Sequence, residues 1–241
     1  IDANAKTVKG QKKGYLTGVL YLAPFTISGK NVCPMAELAG CWKDCLNVQG
    51  RGGISAGSIK FDAVDGQVLP DNSIQRCRIR RTNMYHNELP AFLAKLEKEI
   101  NALVRKADRL GFIPCVRLNG TSDIRWENVK FADGTTIFDR FPTMIFYDYT
   151  KIVNRKRIPA NYHLSWSYSE ASDKYARMRP EELNWVVVFH GPMPTTFLGR
   201  KVIDGDESDL RFLDDSGIVV GLKAKGSARK DESGFVIRIA A

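Results

Sequence analysis

Apolar residues recur at three- and four-residue intervals between residues 89 and 110, which is the spacing of one face of an α-helix. Charged residues such as Lys95, Lys98 and Arg105 lie between them. Gly111 follows the last apolar residue, and glycine commonly ends helices. The pattern predicts a long amphipathic helix over 89–110 that packs on the core. Its apolar face consists of Phe92, Leu93, Leu96, Ile100, Leu103, Val104, Ala107 and Leu110.

Short apolar runs with β-branched and aromatic residues occur on both sides of this helix and predict β-strands. Segments with weaker helical character, such as 169–179, separate several of these runs. Strands that alternate with helical segments are typical of an α/β protein with a largely parallel sheet. The runs cover residues 15–24, 113–118, 143–149, 162–168, 185–190, 202–203 and 218–222.

Polar residues of the types that bind ligands or catalyse reactions follow most of these apolar runs. In parallel α/β folds, and in barrels above all, ligands bind at the edge of the sheet where the strands end. We therefore predict an α/β fold, a single-domain, partial or distorted TIM-like (β/α) barrel with a largely parallel sheet. Residues 1–14 carry four lysines and few apolar residues, so we expect a basic mobile arm there and one domain over 15–241.

Other segments have weaker patterns. Residues 33–40 are typical of a short helix, 41–48 of a second helical turn, and 54–75 look irregular. The arginine-rich run 76–81 alternates, so on a strand Arg76, Arg78 and Arg80 would share one face. With the lysine arm they would form a surface for nucleic-acid phosphates, or alternatively a face that only solubilises the protein.

The charge balance favours anionic partners. The 241 residues include 36 Lys and Arg against 27 Asp and Glu, a net charge of +9. A balance of this size favours an anionic ligand, a nucleotide or a nucleic acid. No apolar run reaches the roughly 18 residues that a membrane helix needs, and the first residues lack the apolar stretch of a signal peptide, so no membrane partner is expected.

Three cysteines, Cys33, Cys41 and Cys45, lie within thirteen residues, just after the first predicted strand. Three thiolates can hold three irons of a four-iron cluster and leave the fourth iron open to substrate or S-adenosylmethionine. The spacing C-x7-C-x3-C differs from the C-x3-C-x2-C of radical enzymes. Zinc, which would need a fourth protein ligand, and reduced structural thiols are the alternatives.

Five ordered blocks carry a resemblance to a known family: CPMA at 33–36 with Gly40, Cys41 and Cys45, RLNGTSD at 117–123, FYDYTK at 146–151, YHLSWSYSE at 162–170 and VIDGDESDLRFLD at 202–214. Together they resemble a bacteriophage family that is usually labelled gene-product-88-like. The likeness covers residues 15–236. It implies a barrel distantly similar to radical S-adenosylmethionine enzymes, and a protein of the host cytoplasm.

Candidate site residues follow the predicted strands. Carboxylates and imidazoles there can act as general bases or nucleophiles, while amide, hydroxyl and ammonium groups can bind a cofactor or a phosphate. The alternatives, in which these residues have no functional role, are a solvated turn around Asp206 and loops that are polar only because they face water. The expected catalytic residues are Asp123, Asp148, His190 and Asp206. The expected cofactor-binding residues are Asn119, Ser167, Lys223 and Lys225. The expected metal ligands are Cys33, Cys41 and Cys45.

Three hypotheses about function follow from these features. The first is an iron–sulfur enzyme, of radical S-adenosylmethionine type in its cofactor use, that acts on a nucleotide or nucleic acid. The second is a cluster-free base-exchange or hydrolytic enzyme on nucleic acid in which an aspartate reacts. The third is a phage protein without catalytic activity that binds nucleic acid or a host factor through its basic surface.

Overall fold

Eleven strands are present in the computed structural model of the protein, which describes residues 5–42, 45, 47, 59–61, 68–70 and 72–240. Every predicted apolar run contains a strand, with bounds that shift by a few residues. The strands are β1 (Tyr15–Val19), β2 (Ile59–Phe61), β3 (Val68–Pro70), β4 (Ile113–Arg117), β5 (Ile145–Thr150), β6 (Tyr162–Ser167), β7 (Asn184–His190), β8 (Thr196–Phe197), β9 (Arg200–Asp204), β10 (Val219–Lys223) and β11 (Val236–Arg238).

Nine of these strands form one open sheet. Their order is β1, β4, β5, β6, β7, β10, β9, β8, with β11 also paired to β7. All neighbouring strands are parallel except β8 and β9, and β2 pairs with β3 in a separate antiparallel hairpin. The α/β class and the largely parallel sheet are therefore confirmed. The expected TIM-like barrel is not, because β1 and β8 lie at opposite ends of the order and the sheet does not close.

A segment of the chain covers the face of the sheet that a barrel would enclose. Leu210 is 1% exposed and packs with Cys115 and Tyr147. The ring of Phe212 lies 5.2 Å from that of Tyr147 and 5.9 Å from the imidazole of His163. Burial of apolar surface stabilises the fold wherever it occurs, so these two side chains provide the burial that barrel closure would otherwise provide.

The sheet forks at β7. The carbonyl of Val186 accepts a hydrogen bond of 2.9 Å from the N–H of Tyr168, just after β6. The carbonyl of His190, on the same side of β7, accepts one of 2.9 Å from Ile239, just after β11. β6 thus leaves the sheet and β11 takes its place. The fork brings the loop after β6 to the loop before β11, where the N–H of Glu170 donates to the carbonyl of Gly234.

The predicted long helix is confirmed at both ends. It is α4 in a set that comprises α1 (Ala5–Lys9), α2 (Phe25–Ser28), α3 (Ser73–Asn87), α4 (Leu89–Leu110), α5 (Ile137–Arg140) and α6 (Asp173–Ala176). Gly111 caps α4 in the left-handed conformation, at φ 70°. Leu93 and Ile100 share a core cluster with Val116 and Phe146 of the sheet. Among the residues whose positions are described, no helix has the length and apolar character to cross a membrane.

The arginine-rich run does not form a strand. It lies in α3, which begins where the side chain of Asn72 accepts hydrogen bonds from the N–H groups of Ile74 and Gln75. Arg76 and Arg80 are exposed on this helix, whereas Arg78 is buried. The alternation was misleading because helix positions two apart do not share a face. The predicted row of three arginines on one face is therefore wrong.

Several weaker predictions also have an outcome. Residues 33–40 form turns rather than a helix, and half of 41–48 lies outside the described residues. The irregular stretch 54–75 contains β2, β3 and the start of α3, and its other residues except Asn72 also lie outside. In the basic arm, residues 5–13 form α1 and a 3-10 turn, and Thr7 is only 2% exposed.

A close approach between β1 and the loop after β4 generates a first prediction. A Cβ atom on Gly120 would lie 2.8 Å from the carbonyl oxygen of Leu20 and 2.6 Å from a methyl of Val19. Because backbone cannot give way cheaply, Gly120→Ala should lower the free energy of unfolding by about 2 kcal/mol. Gly10→Ala is the control, since its Cβ would meet only the flexible side chain of Leu210 at 3.3 Å. Urea unfolding measures both, and equal losses would contradict the prediction.

Candidate functional site

Cys33 is held by the loops that follow β1 and β4. Its N–H donates to the side-chain oxygen of Asn31 at 2.8 Å, and its thiol lies 3.8 Å from the carbonyl oxygen of Thr121. The N–H of Asp123 donates to the carbonyl of Val32 at 2.7 Å, which ties the two loops together. The first cysteine therefore lies at the carboxyl end of the parallel strands, where the sequence places it.

Cys41 is held by the loops at the fork of the sheet. The hydroxyl of Ser169 donates to the carbonyl of Ala39 at 2.7 Å, and that of Ser172 donates to Leu38 at 3.2 Å. Between them and the cysteine, Gly40 has φ 70°, and a Cβ there would lie 2.6 Å from the methyl of Ala171. Only glycine combines this conformation with this approach. The fork thus determines the position of Cys41.

Cys45 is held from helix α3. Its sulfur accepts from the N–H of Asn47 at 3.5 Å, and the amide of Asn47 donates to Gln75 at 2.8 Å. The guanidinium of Arg78 donates to the backbone and side-chain oxygens of Asn47 at 3.0 and 2.8 Å, and lies 4.6 Å from the centre of the Tyr21 ring. Arg78, expected on a phosphate-binding surface, instead holds the segment of the third cysteine.

The three thiols interact electrostatically. Burial raises the pKa of each of them, and the pKa of Cys33 rises further because Asp123 and the other two cysteines repel its thiolate. Lys151 opposes this effect at Cys33 and Cys41, and Arg78 opposes it at Cys45. Three separately held segments therefore bring their thiols into one electrostatic environment. Within the described part of the chain, no group of three or more His, Cys, Asp or Glu side chains is placed to hold a metal ion, so the expected cysteine ligand set does not stand out as a formed metal site.

Asp123 and Lys151 lie beside these cysteines. The carboxylate of Asp123 accepts from the hydroxyl of Thr150 at 2.8 Å and from the N–H of Lys151 at 2.7 Å. Burial raises its pKa in spite of these bonds. The ammonium group of Lys151 donates to the hydroxyl of Ser167 and lies 4.8 Å from the centre of the Phe235 ring. Two of the predicted site residues, Asp123 and Ser167, are thus connected through Lys151.

Asn119 shapes the loop that carries Asp123. Its side-chain oxygen accepts from the hydroxyl of Ser122, the N–H of Ile124 and the indole N–H of Trp126, at 2.8, 2.9 and 3.1 Å. Its amide donates to the carbonyl of Ile124 at 3.0 Å. These contacts occupy the amide within the protein. Its geometry therefore favours a role in positioning Asp123 over contact with a cofactor.

Asp148 is a buried carboxylate at the centre of the sheet edge. It accepts from the N–H groups of Leu118 and Asn119 at 3.1 and 2.9 Å and from the hydroxyl of Tyr162 at 3.0 Å. The guanidinium of Arg117 lies 3.8 Å away. Burial raises the pKa of Asp148 to about 6, because desolvation outweighs the arginine and the hydrogen bonds.

Arg117 joins Asp148 to a second buried carboxylate that the sequence did not single out. The guanidinium donates to Asp209 at 2.7 Å, and the hydroxyl of Tyr149 donates to the other oxygen of Asp209 at 2.9 Å. Both members of the Arg117 to Asp209 pair are less than a tenth exposed. Two signals were available: the acidic run that contains Asp209, and an arginine at the end of an apolar strand, since buried charges require a partner.

The remaining predicted residues follow β9 and β10. The carboxylate of Asp206 accepts from the ammonium group of Lys225 at 2.8 Å and from the N–H of Lys223 at 3.2 Å. The ammonium nitrogen of Lys6, in α1, lies 3.9 Å from a carboxylate oxygen of Asp206 and 3.9 Å from one of Asp209. Lys6 therefore links Asp206 to the buried pair of Arg117 and Asp209.

The last predicted residue, His190, ends β7. The imidazole of His190 has no hydrogen-bond or ion-pair partner in the part of the chain that the structure describes. The described contacts therefore connect the His190 side chain neither to Asp206 nor to the Arg117 and Asp209 pair.

The raised pKa of Asp148 predicts a pH effect on stability. The folded protein holds this proton between about pH 4 and 6, where the unfolded chain loses it, so stability falls as the pH rises. Asp148→Asn removes the titration. The difference in unfolding free energy, wild type minus variant, should fall by roughly 2 kcal/mol between pH 4 and 7.

Urea unfolding at a series of pH values measures this difference. Asp133→Asn is the control, because hydrogen bonds from Thr135 lower the pKa of the exposed Asp133, so the same difference for this variant should not fall as the pH rises. A wild-type minus Asp148→Asn difference that does not change with pH would contradict the prediction.

The buried ion pair predicts a strong coupling. Arg117→Met leaves the carboxylate of Asp209 buried without its cation, and this should destabilise the protein by about 3–5 kcal/mol. The double variant Arg117→Met, Asp209→Leu should lose less than the sum of the two single variants, since it no longer contains an Asp209 carboxylate that has lost Arg117. A double-mutant cycle by urea unfolding tests this, and additive losses would argue against it.

Comparison with known proteins supports the resemblance stated from the sequence blocks. The model of the family described as Gene product 88 matches residues 1–239, nearly the whole chain. No curated protein and no solved structure matched the chain. The match agrees with the bacteriophage family expected from the sequence and carries no relationship to radical S-adenosylmethionine barrels. The chain belongs to the Gene product 88 family.

Proposed function

We propose that the protein is an enzyme in which Cys33, Cys41 and Cys45 hold an iron–sulfur cluster at the carboxyl edge of the sheet. One observation carries the proposal: three separately held segments bring three half-buried thiols close enough to influence one another's pKa. Structural thiols alone would not need such positioning. The loop after β1, the loops at the sheet fork and helix α3 each hold one of the three cysteines in position.

The donor set fits a cluster better than a single ion. A four-iron cluster takes one thiolate per iron, so its thiolates stand further apart than the ligands of one zinc ion. Burial raises the thiol pKa values, so without iron the thiols keep their protons, and iron binding would displace them.

Residues around the cysteines would supply charge and proton transfer. Lys151 and Arg78 compensate part of the negative charge of the thiolates. Asp123, with its raised pKa, can hold or release a proton beside them. When bound, a cluster with an open iron supplies one-electron chemistry, with S-adenosylmethionine as a possible co-substrate. The net charge of +9 favours a nucleotide or nucleic acid as the substrate.

The experiment is anaerobic purification and reconstitution with iron and sulfide, followed by metal analysis and a visible spectrum. The wild type should be coloured and contain up to about four irons per chain. Cys33→Ser, Cys41→Ser and Cys45→Ser should each lose most of the iron. Cys77→Ser is the matched control and should load like the wild type, because Cys77 is in α3 and is not among the groups that affect the pKa values of Cys33, Cys41 and Cys45.

Other outcomes would overturn the proposal. A colourless protein without iron and sulfide after reconstitution would remove the cluster. One zinc per chain that depends on the same cysteines would replace it with a zinc site. Equal iron in the wild type and in the three cysteine variants would show that iron binds elsewhere.

A further inference from the structure

A pocket of about 300 Å³ opens beside the cysteine loop, on the side of helix α3. Val32 and Pro34, which flank Cys33 in the chain, form part of its wall. Ile124 and Ile152, both less than a tenth exposed, provide further apolar surface. This volume is at the lower end of the range for small-molecule sites. The pocket can therefore hold the flat apolar body of one small ligand.

Asp123 gives the wall of this pocket a hydrogen-bond acceptor. Each of its two oxygens accepts one hydrogen bond from the protein, and an ionised carboxylate can accept about four. The Nη1 nitrogen of Arg155 lies 3.7 Å from Asp123 and is buried without a hydrogen-bond partner. A polar network that is incomplete in this way is able to bind a further polar group. A ligand N–H directed at Asp123 would use its spare acceptor capacity.

The opposite part of the pocket is aromatic and basic. Tyr85 and His86, at the end of α3, form one wall, with their rings 5.1 Å apart. Arg125 is exposed at the pocket, and its guanidinium has no hydrogen-bond or ion-pair partner within the residues described. Burial lowers the pKa of His86, and the positive charge of Lys30 lowers it further. Uncompensated positive charge at a pocket favours an anionic group on the ligand.

We propose that this pocket binds a nucleoside monophosphate whose base carries an exocyclic amine. The amine donates to Asp123, the base lies between the apolar wall and Tyr85, and the phosphate pairs with Arg125. The pocket proposal depends on the proposed function in one respect only, namely that this nucleotide is the substrate of the enzyme. Asp123 lies both in the wall of the pocket and beside the three cysteines, so the bound base would lie beside Cys33.

The test compares ligands on the full chain by isothermal titration calorimetry, with and without reconstituted iron. CMP and UMP are a matched pair, because cytosine presents an N4 amine where uracil presents an oxygen. CMP should bind at least tenfold more tightly than UMP, than cytidine and than inorganic phosphate. A hydrogen bond to a charged group accounts for a difference of this size.

Two variants locate the phosphate. Arg125→Gln should weaken CMP binding by about tenfold or more and leave cytidine binding unchanged. Arg105→Gln is the matched control: Arg105 is also exposed, but lies sixteen residues beyond the start of α4, roughly 24 Å along the helix. It should bind CMP like the wild type.

Three results would overturn the pocket proposal: CMP no tighter than inorganic phosphate, equal affinities for CMP and UMP, or equal effects of the two arginine variants. The result is independent of the cluster. CMP binding to a protein that takes up no iron would support the pocket and overturn the iron–sulfur function. Iron uptake without CMP binding would support the iron–sulfur function and overturn the pocket proposal.

Discussion

The carboxyl edge of the sheet depends on one buried carboxylate. Asp148 accepts hydrogen bonds from the backbone where β4 ends and from a tyrosine of β6, so it joins three neighbouring strands at the same level. A buried charge is tolerated only when such bonds and a counter-charge replace its hydration. Arg117 provides that counter-charge and extends the network to Asp209. The end of β4, and hence the start of the loop that carries Asp123, follows from this interaction.

Two kinds of constraint then shape the candidate site. Polar contacts fix the loop from Asn119 to Asp123, and this loop in turn holds Cys33. Close packing fixes Cys41, because the fork between β6 and β11 leaves room for nothing larger than glycine beside it. Rigid supports of both kinds are what a bound cofactor needs, since its ligands must keep their positions when they lose their protons. The cysteines, Asp123 and the neighbouring pocket form one region for this reason.

Much of the fold could be predicted because its signals are local. Helix α4 has its apolar face and its glycine stop within its own residues, and the apolar runs that became strands need no partner to be recognised. The cysteine trio and the family blocks are also properties of the sequence alone. Helix α3 was missed because its sequence is largely polar, so no apolar periodicity marks it. Its cap at Asn72 was a weak signal that could have indicated it.

Tertiary structure decided what depends on residues far apart in the chain. The sheet is open in its strand order, and Leu210 and Phe212 pack against Cys115 and Tyr147 of strands that lie far from them in the sequence. Arg117 pairs with Asp209 across 92 positions, and Arg78 turns inward to Asn47. By itself, the sequence determined the α/β class, the main helix, the positions of the strands and the residue types available at their ends. Which of those residues meet was left to packing, because burial and charge pairing depend on distance in space and not on spacing along the chain.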